Sequence, residues 1–188
     1  MARYFKRATL SFTMGISTAT LATAVQAVKM VVSVYDGYEK GRFMKTDEAV
    51  RSEIQRRCEM LNRHAQKLEQ DSHEKGFRDA RRSLSRTIES IQAYRRDAQF
   101  ALSGTSLSSH SGIGKLKAKA VRKLVEHDSA SLNSLVEATR MGNDLAQAVS
   151  KSDEEEMQTL VSEWHHGINR ARNHFLERNM FIDGLIKR

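Results

Sequence analysis

The chain of 188 residues contains no proline, where average usage would place roughly nine. Proline breaks helix interiors and marks many loops, so its absence argues for long helices and against turn-rich architectures. Cys58 is the only cysteine, which excludes an intrachain disulfide and a cysteine-based metal cluster. It stands on an apolar seam, and that placement predicts a buried structural thiol. Aromatic residues make up only 6% of the chain, beside 39% apolar residues in all. Such a supply fills the seams between helices but is thin for a broad globular core.

Acidic residues are also missing, but locally. Residues 1–35 contain neither Asp nor Glu, while Arg3, Lys6 and Arg7 precede an uncharged stretch from Ala8 to Val28. As a helix this stretch would rise about 31 Å, close to the hydrocarbon thickness of a bilayer. Its hydroxyl content is high (Thr9, Ser11, Thr13, Ser17, Thr18, Thr20 and Thr23), which lowers its hydrophobicity. Ser11, Gly15, Ala19, Thr23 and Ala27 recur every four residues and form a small-residue ridge that lets another helix approach closely. Three readings follow: a retained membrane-inserting helix, a soluble core helix, or a targeting segment. The last would be a signal or transit peptide over 1–27, with small-residue cleavage sites at Ala22-Thr23-Ala24 and Val25-Gln26-Ala27. The first is preferred, and with it a membrane-associated location.

Beyond Asp36 the chain is rich in charge and in heptad-like periodicity, so residues 1–35 and 36–188 divide into an apolar N-terminal helix and a charged helical bundle. Thr46-Asp47-Glu48 predicts an N-cap and an acidic first turn. The seam that follows reads Val50, Ile54, Cys58, Leu61, Ala65 and Leu68. A second seam reads Phe77, Leu84, Ile88, Ile91, Ala98 and Leu102, about two residues out of phase with the first. A turn near 71–77 between two antiparallel helices accounts for the phase change, with one long helix carrying a register shift as the alternative. Ser103 to Gly114 is a Ser/Gly-rich loop. A further helix starts from Lys115 with Val121, Leu124, Leu132, Leu135, Leu145 and Val149, and Gly142-Asn143 is a candidate interruption. For the last helix, Ser152 and Glu155 fit the capping-box pattern. Met157, Val161, Trp164, Ile168, Ala171, Phe175, Ile182 and Leu185 make a seam of alternating four- and three-residue steps, broken only by Arg178. The expected fold is all-α: a bundle of four to five long helices, with an N-terminal apolar helix and a Ser/Gly-rich loop near 103–114.

Catalytic motifs are scarce. Glu163 and His166 form a single Glu-x-x-His unit, whereas a di-iron bundle needs two, with two further glutamates. Gly112-Ile113-Gly114-Lys115 lacks the earlier glycine, the following Ser or Thr, and the preceding strand of a phosphate loop. No Gly-x-Ser-x-Gly elbow occurs. The expectation is a non-enzymatic protein with no catalytic residue, no metal and no cofactor.

Partners are suggested by charge. The formal net charge is +8 and the isoelectric point about 9.8, a balance that favours acidic surfaces. Lys115, Lys117, Lys119, Arg122 and Lys123 gather at a helix start, where they oppose the helix dipole, so an anionic surface explains them better than helix stability does. A second basic concentration, Arg78, Arg81, Arg82, Arg86, Arg95 and Arg96, is diluted by Asp79, Glu89 and Asp97. Nucleic acid is an alternative partner that lacks the interleaved aromatics of common recognition surfaces. The expected function is membrane association, in which the first helix inserts or docks and the seams support packing within the chain, between copies or with a helical partner protein. Such a protein would be of pore, anchor or envelope-assembly type. The alternatives are a soluble scaffold or nucleic-acid-associated bundle, and an accessory subunit of an organellar or envelope complex.

Overall fold

The computed structural model describes residues 43–101 and 116–186, together with Gln26, Val28, Lys29 and Tyr38. Four helices account for the two long spans: α1 (Phe43–Glu74), α2 (Arg78–Phe100), α3 (Ala118–Lys151) and α4 (Glu154–Ile186). No strand occurs among the described residues. The expected Ser/Gly loop at 103–114 lies outside the described residues, as do Ser11, Gly15, Ala19, Thr23 and Ala27 of the small-residue ridge. No described helix is long and apolar enough to cross a membrane.

Two helical hairpins, α1–α2 and α3–α4, pack side by side. α1 lies against α3 and α2 against α4, so that α2 and α3 sit across one diagonal and α1 and α4 across the other. The starts of α1 and α3 share one end of the bundle with the ends of α2 and α4. We call it the open end, because no tight turn joins two helices there among the described residues. The two tight turns close the opposite end.

Both tight turns use the same hydrogen-bond pattern. After α1, Gly76 takes the left-handed conformation (φ +80°), its N–H donates to the His73 carbonyl, and the Phe77 N–H donates to the Ser72 carbonyl. After α3, the left-handed residue is Ser152 (φ 61°), with Ser152 N–H donating to Val149 O and Asp153 N–H to Ala148 O. Lys75 ties the two turns together, since its ammonium donates to Val149 O at 2.6 Å and to Ser152 Oγ at 2.8 Å. A cation at the C-terminal end of α3 also complements that helix's dipole.

Several sequence expectations are corrected here. The turn falls at 75–77, so the single long helix is excluded. Thr46, Asp47 and Glu48 do not cap α1, which already runs from Phe43; Thr46 and Asp47 are buried within it. Gly142-Asn143 does not interrupt α3. The residue lies where α3 and α4 approach closely, and a Cβ on Gly142 would meet the Trp164 ring at 3.0 Å and His64 at 3.1 Å. Nor is Ser152 the cap of α4: it closes α3, and the cap is Asp153, whose carboxylate accepts from the Glu156 N–H at 2.9 Å. α3 starts at Ala118, three residues after Lys115, because Lys117 holds the extended backbone of an N-cap.

The core follows the seams. Val50, Ile54, Cys58, Leu61, Ala65 and Leu68 of α1 are buried, as are Leu84, Ile88, Ile91 and Ala98 of α2 and Leu124, Leu132, Leu135, Leu145 and Val149 of α3. On α4, Met157, Val161, Trp164, Ile168, Ala171, Phe175 and Ile182 are buried, and Leu185 packs partly buried at the end. Trp164 is held further by its indole N–H, which donates to Ala138 O at 2.7 Å, while His64 bonds Gly142 O at 2.9 Å. Cys58 is fully buried, and burial pushes its thiol up to about 12.

Candidate functional site

At the open end, three helices bring charge into the apolar core. Arg178 of α4, Asp47 of α1 and Asp128 of α3 all occupy seam positions: Asp47 precedes Val50 and Ile54, Asp128 falls midway between Leu124 and Leu132, and Arg178 follows Phe175. All three are 0% exposed. The Arg178 guanidinium donates through Nε to Asp128 Oδ1 at 2.5 Å and through Nη2 to the Tyr38 hydroxyl at 2.7 Å. Nη2 also pairs with Asp47 Oδ1 at 2.6 Å, as a charge contact off the hydrogen-bond direction. Tyr38 donates in turn to Asp128 Oδ2 at 2.8 Å. Asp47 Oδ2 accepts from Arg51 Nε at 2.8 Å, one turn along α1. Among the described residues, two arginines therefore face two carboxylates.

Physical chemistry explains why these charges are paired. An ion buried without a partner costs several kcal/mol, so each charge requires an opposite charge and satisfied hydrogen bonds. Burial alone would lower the pKa of Arg178, but the surrounding Tyr38, Asp128 and Asp47 more than offset it and hold the guanidinium well above its ordinary value. Burial is also the main reason that the Tyr38 phenol sits well above its usual range. The planar guanidinium fixes the register of α4 against α1 and α3 simultaneously, and it holds Tyr38 against the bundle. Tyr38 also stacks at a tilt on Phe43, with centroids 5.3 Å apart. Further up the N-terminal segment, Val28 is buried in the same core, while Gln26 and Lys29 are exposed. A second buried phenol, Tyr94 beside Phe175, has no hydrogen-bond partner among the described residues.

The sequence-predicted basic cluster lies at the same end. Lys117, Lys119 and Lys123 are exposed and Arg122 is half-buried; Lys115 lies outside the described residues. The first turn of α3 holds no acidic residue. Lys123 lies 4.7 Å from the centre of the Phe181 ring, and the His127 ring packs at a tilt on the same ring, with centroids 5.7 Å apart. Burial and the nearby Lys123 charge push His127 below its usual value. Two large apolar side chains stand out into solvent here: Phe100 is 56% exposed at the end of α2, and Met180 is 66% exposed on α4.

No known family accounts for this arrangement. No family model matches the chain, and neither the curated proteins nor the solved structures contain a match to it. Its function must be argued from its own residues.

The histidines of α4 do not converge. His165 is occupied by Asn169, whose amide lies 3.0 Å from Nε2, and by Thr87 at 3.5 Å from Nδ1. His166 and Glu163 are exposed, and no cluster of three metal-ligating side chains occurs among the described residues. From sequence, Arg178 reads as a break in a seam and Asp47 as part of a helix start, while Asp128 and Tyr38 carry no assigned role. The available signal was periodic: a charged residue stood in phase with the apolar seam on three different helices, and their signs were opposite.

Proposed function

We propose that this chain is a non-enzymatic, membrane-associating helical protein that meets an anionic lipid surface with the open end of its bundle. One juxtaposition carries the reading: the acid-free N-terminal segment joins the bundle at the end that also bears Lys117, Lys119 and Lys123 and the exposed Phe100 and Met180. Cations near an anionic headgroup layer contribute on the order of 1 kcal/mol each, and exposed apolar side chains add burial in the interface. The α4 seam from Met157 to Leu185 is spent on packing within the chain, so contacts between copies or with a helical partner are assigned to residues 1–35, through Gly15 and Ala19 on the small-residue ridge.

Flotation with anionic vesicles tests the proposal. Wild-type protein should float with them, the interaction should fade with salt, and the Lys117→Glu/Lys119→Glu/Lys123→Glu variant should float less. Deleting residues 1–35 should abolish flotation. Wild-type protein that stays at the bottom of the gradient would sink the proposal. It would promote the second reading, a soluble scaffold with its N-terminal segment docked as part of the core, which the burial of Val28 and Tyr38 favours.

A further inference from the structure

The closed end carries a feature that membrane docking does not use. The α1–α2 turn leaves an open groove of about 520 Å³ between the end of α1 and the first two turns of α2. Arg78, Arg81, Arg82 and Ser85 line it from α2, a spacing that puts all four on one helical face, and His73 faces them from α1. The second basic concentration of the sequence thus converges here in part, whereas Arg95 is drawn away to Glu59 at 2.9 Å.

Arg78 and Arg81 share with Arg86, Arg96, Arg122 and Arg170 the lack of a carboxylate partner among the described residues, but they converge with Arg82 on one groove. On α1, Arg51, Arg56, Arg57 and Arg63 each have an acidic partner. Arg78 and Arg81 have none within 4.0 Å among the described residues, and Arg81 Nη1 donates instead to His73 Nδ1 at 3.3 Å. Arg82 meets only Asp79 at 3.5 Å, with both side chains mostly exposed, a pair worth little in water. Glu69 of α1 is engaged by the hydroxyl of Ser85. α2 also starts without a side-chain cap, because Phe77 stands at the N-cap and has no acceptor to offer. The amides of its first turn add positive potential to the three guanidinium groups.

We propose that this groove binds the phosphoryl group of a soluble phosphate monoester or of inorganic phosphate, with Arg78 and Arg81 as bidentate donors and Arg82 as a third charge. Planar guanidinium forks match the several acceptor oxygens of a phosphate dianion better than they match a single carboxylate. The ligand is soluble rather than a lipid headgroup because of where the groove lies. The rise of α1 sets it roughly 45 Å from the open end, so a bilayer docked there cannot reach it.

The test uses full-length, isotope-labelled protein titrated with inorganic phosphate at constant ionic strength, followed by amide and arginine side-chain NMR. Saturating shifts confined to residues 72–86 are expected. Arg78→Gln/Arg81→Gln should weaken binding by about tenfold or more, as the loss of two charged hydrogen-bonding groups implies. Arg63→Gln/Arg140→Gln, which removes two exposed arginines elsewhere, should leave it within about twofold. Shifts that stay linear in phosphate, that spread equally to Lys117–Lys123, or that persist in the Arg78/Arg81 variant would overturn the site. A second arm replaces phosphate with vesicles containing phosphorylated inositol lipids. Shifts at the groove with vesicles but not with free phosphate would overturn the soluble ligand. Phosphate binding in a protein that fails to float with vesicles would leave the groove standing and remove only the membrane reading.

Discussion

Replacing Arg178 by Met removes a cation that touches both buried carboxylates. Asp47 keeps Arg51 at 2.8 Å, and Asp128 keeps the Tyr38 hydroxyl at 2.8 Å, but neither retains the guanidinium. Breaking a buried pair by removing one partner typically costs about 3–5 kcal/mol, because the desolvation of the remaining charge is no longer offset. Against a typical domain stability of about 5–15 kcal/mol, this is a large fraction. At about 2–4 °C per kcal/mol for a chain of this size, the melting temperature should fall by roughly 6–20 °C. The companion variant Asp47→Leu/Asp128→Leu/Arg178→Met leaves no buried charge in the core and should recover most of the loss, because a well-packed apolar replacement of a buried ion cluster is often neutral. Tyr38 then loses both Arg178 and Asp128, so its own amide should exchange hydrogen faster although the bundle melts normally. Circular dichroism melts and native-state hydrogen exchange on the three proteins supply the comparison. If Arg178→Met melts within about 1 kcal/mol of wild type, the guanidinium is solvated and the network argument is wrong.

Three further outcomes follow from the packing. Gly142→Leu drives a branched side chain into the Trp164 ring and His64, so it should destabilise by about 1–3 kcal/mol in urea unfolding; an unchanged midpoint would mean that α3 and α4 do not approach as described. His127 and His165 both have pKa values lowered from 6.5, each chiefly by burial, so folding disfavours their protonated forms. Their contribution is therefore present above pH 6.5 and lost as pH falls through the lowered folded values. The urea midpoint should drop between pH 7.5 and 5, and His127→Gln/His165→Gln should flatten that slope. Cys58, buried and with its thiol pushed up to about 12, should react with an aromatic disulfide reagent at pH 8 only as fast as the protein opens. Rapid labelling of the native protein without denaturant would contradict its burial.

The helical class was legible because helix signals are local. The absence of proline, the four-and-three spacing from Met157 to Leu185 and the phase change near Gly76 each depend on residues within a few turns of one another. The buried face of α4 could be read almost completely for the same reason. Cap positions were less legible. Ser152 and Asp153 both have cap-forming side chains, and only the backbone reveals that the first closes α3 in a left-handed conformation while the second opens α4.

The candidate site lay beyond sequence for a different reason. Arg178 looked like an exception because its partners are Asp47 and Asp128, on two other helices, and Tyr38, ahead of α1. Their separations of 131, 50 and 140 positions leave no local pattern. The basic start of α3 was visible as composition, yet its place beside Phe100, Met180 and the entry of the N-terminal segment depends on how the two hairpins stack. Arg78, Arg81 and Arg82 were likewise a charge run until pairing was known, since counting Asp79, Glu89 and Asp97 cannot tell which carboxylates reach which guanidinium. Local periodicity fixes which face of each helix is apolar. Which faces meet, and which charges are buried together, is decided only when long-range packing brings distant side chains within a few ångströms.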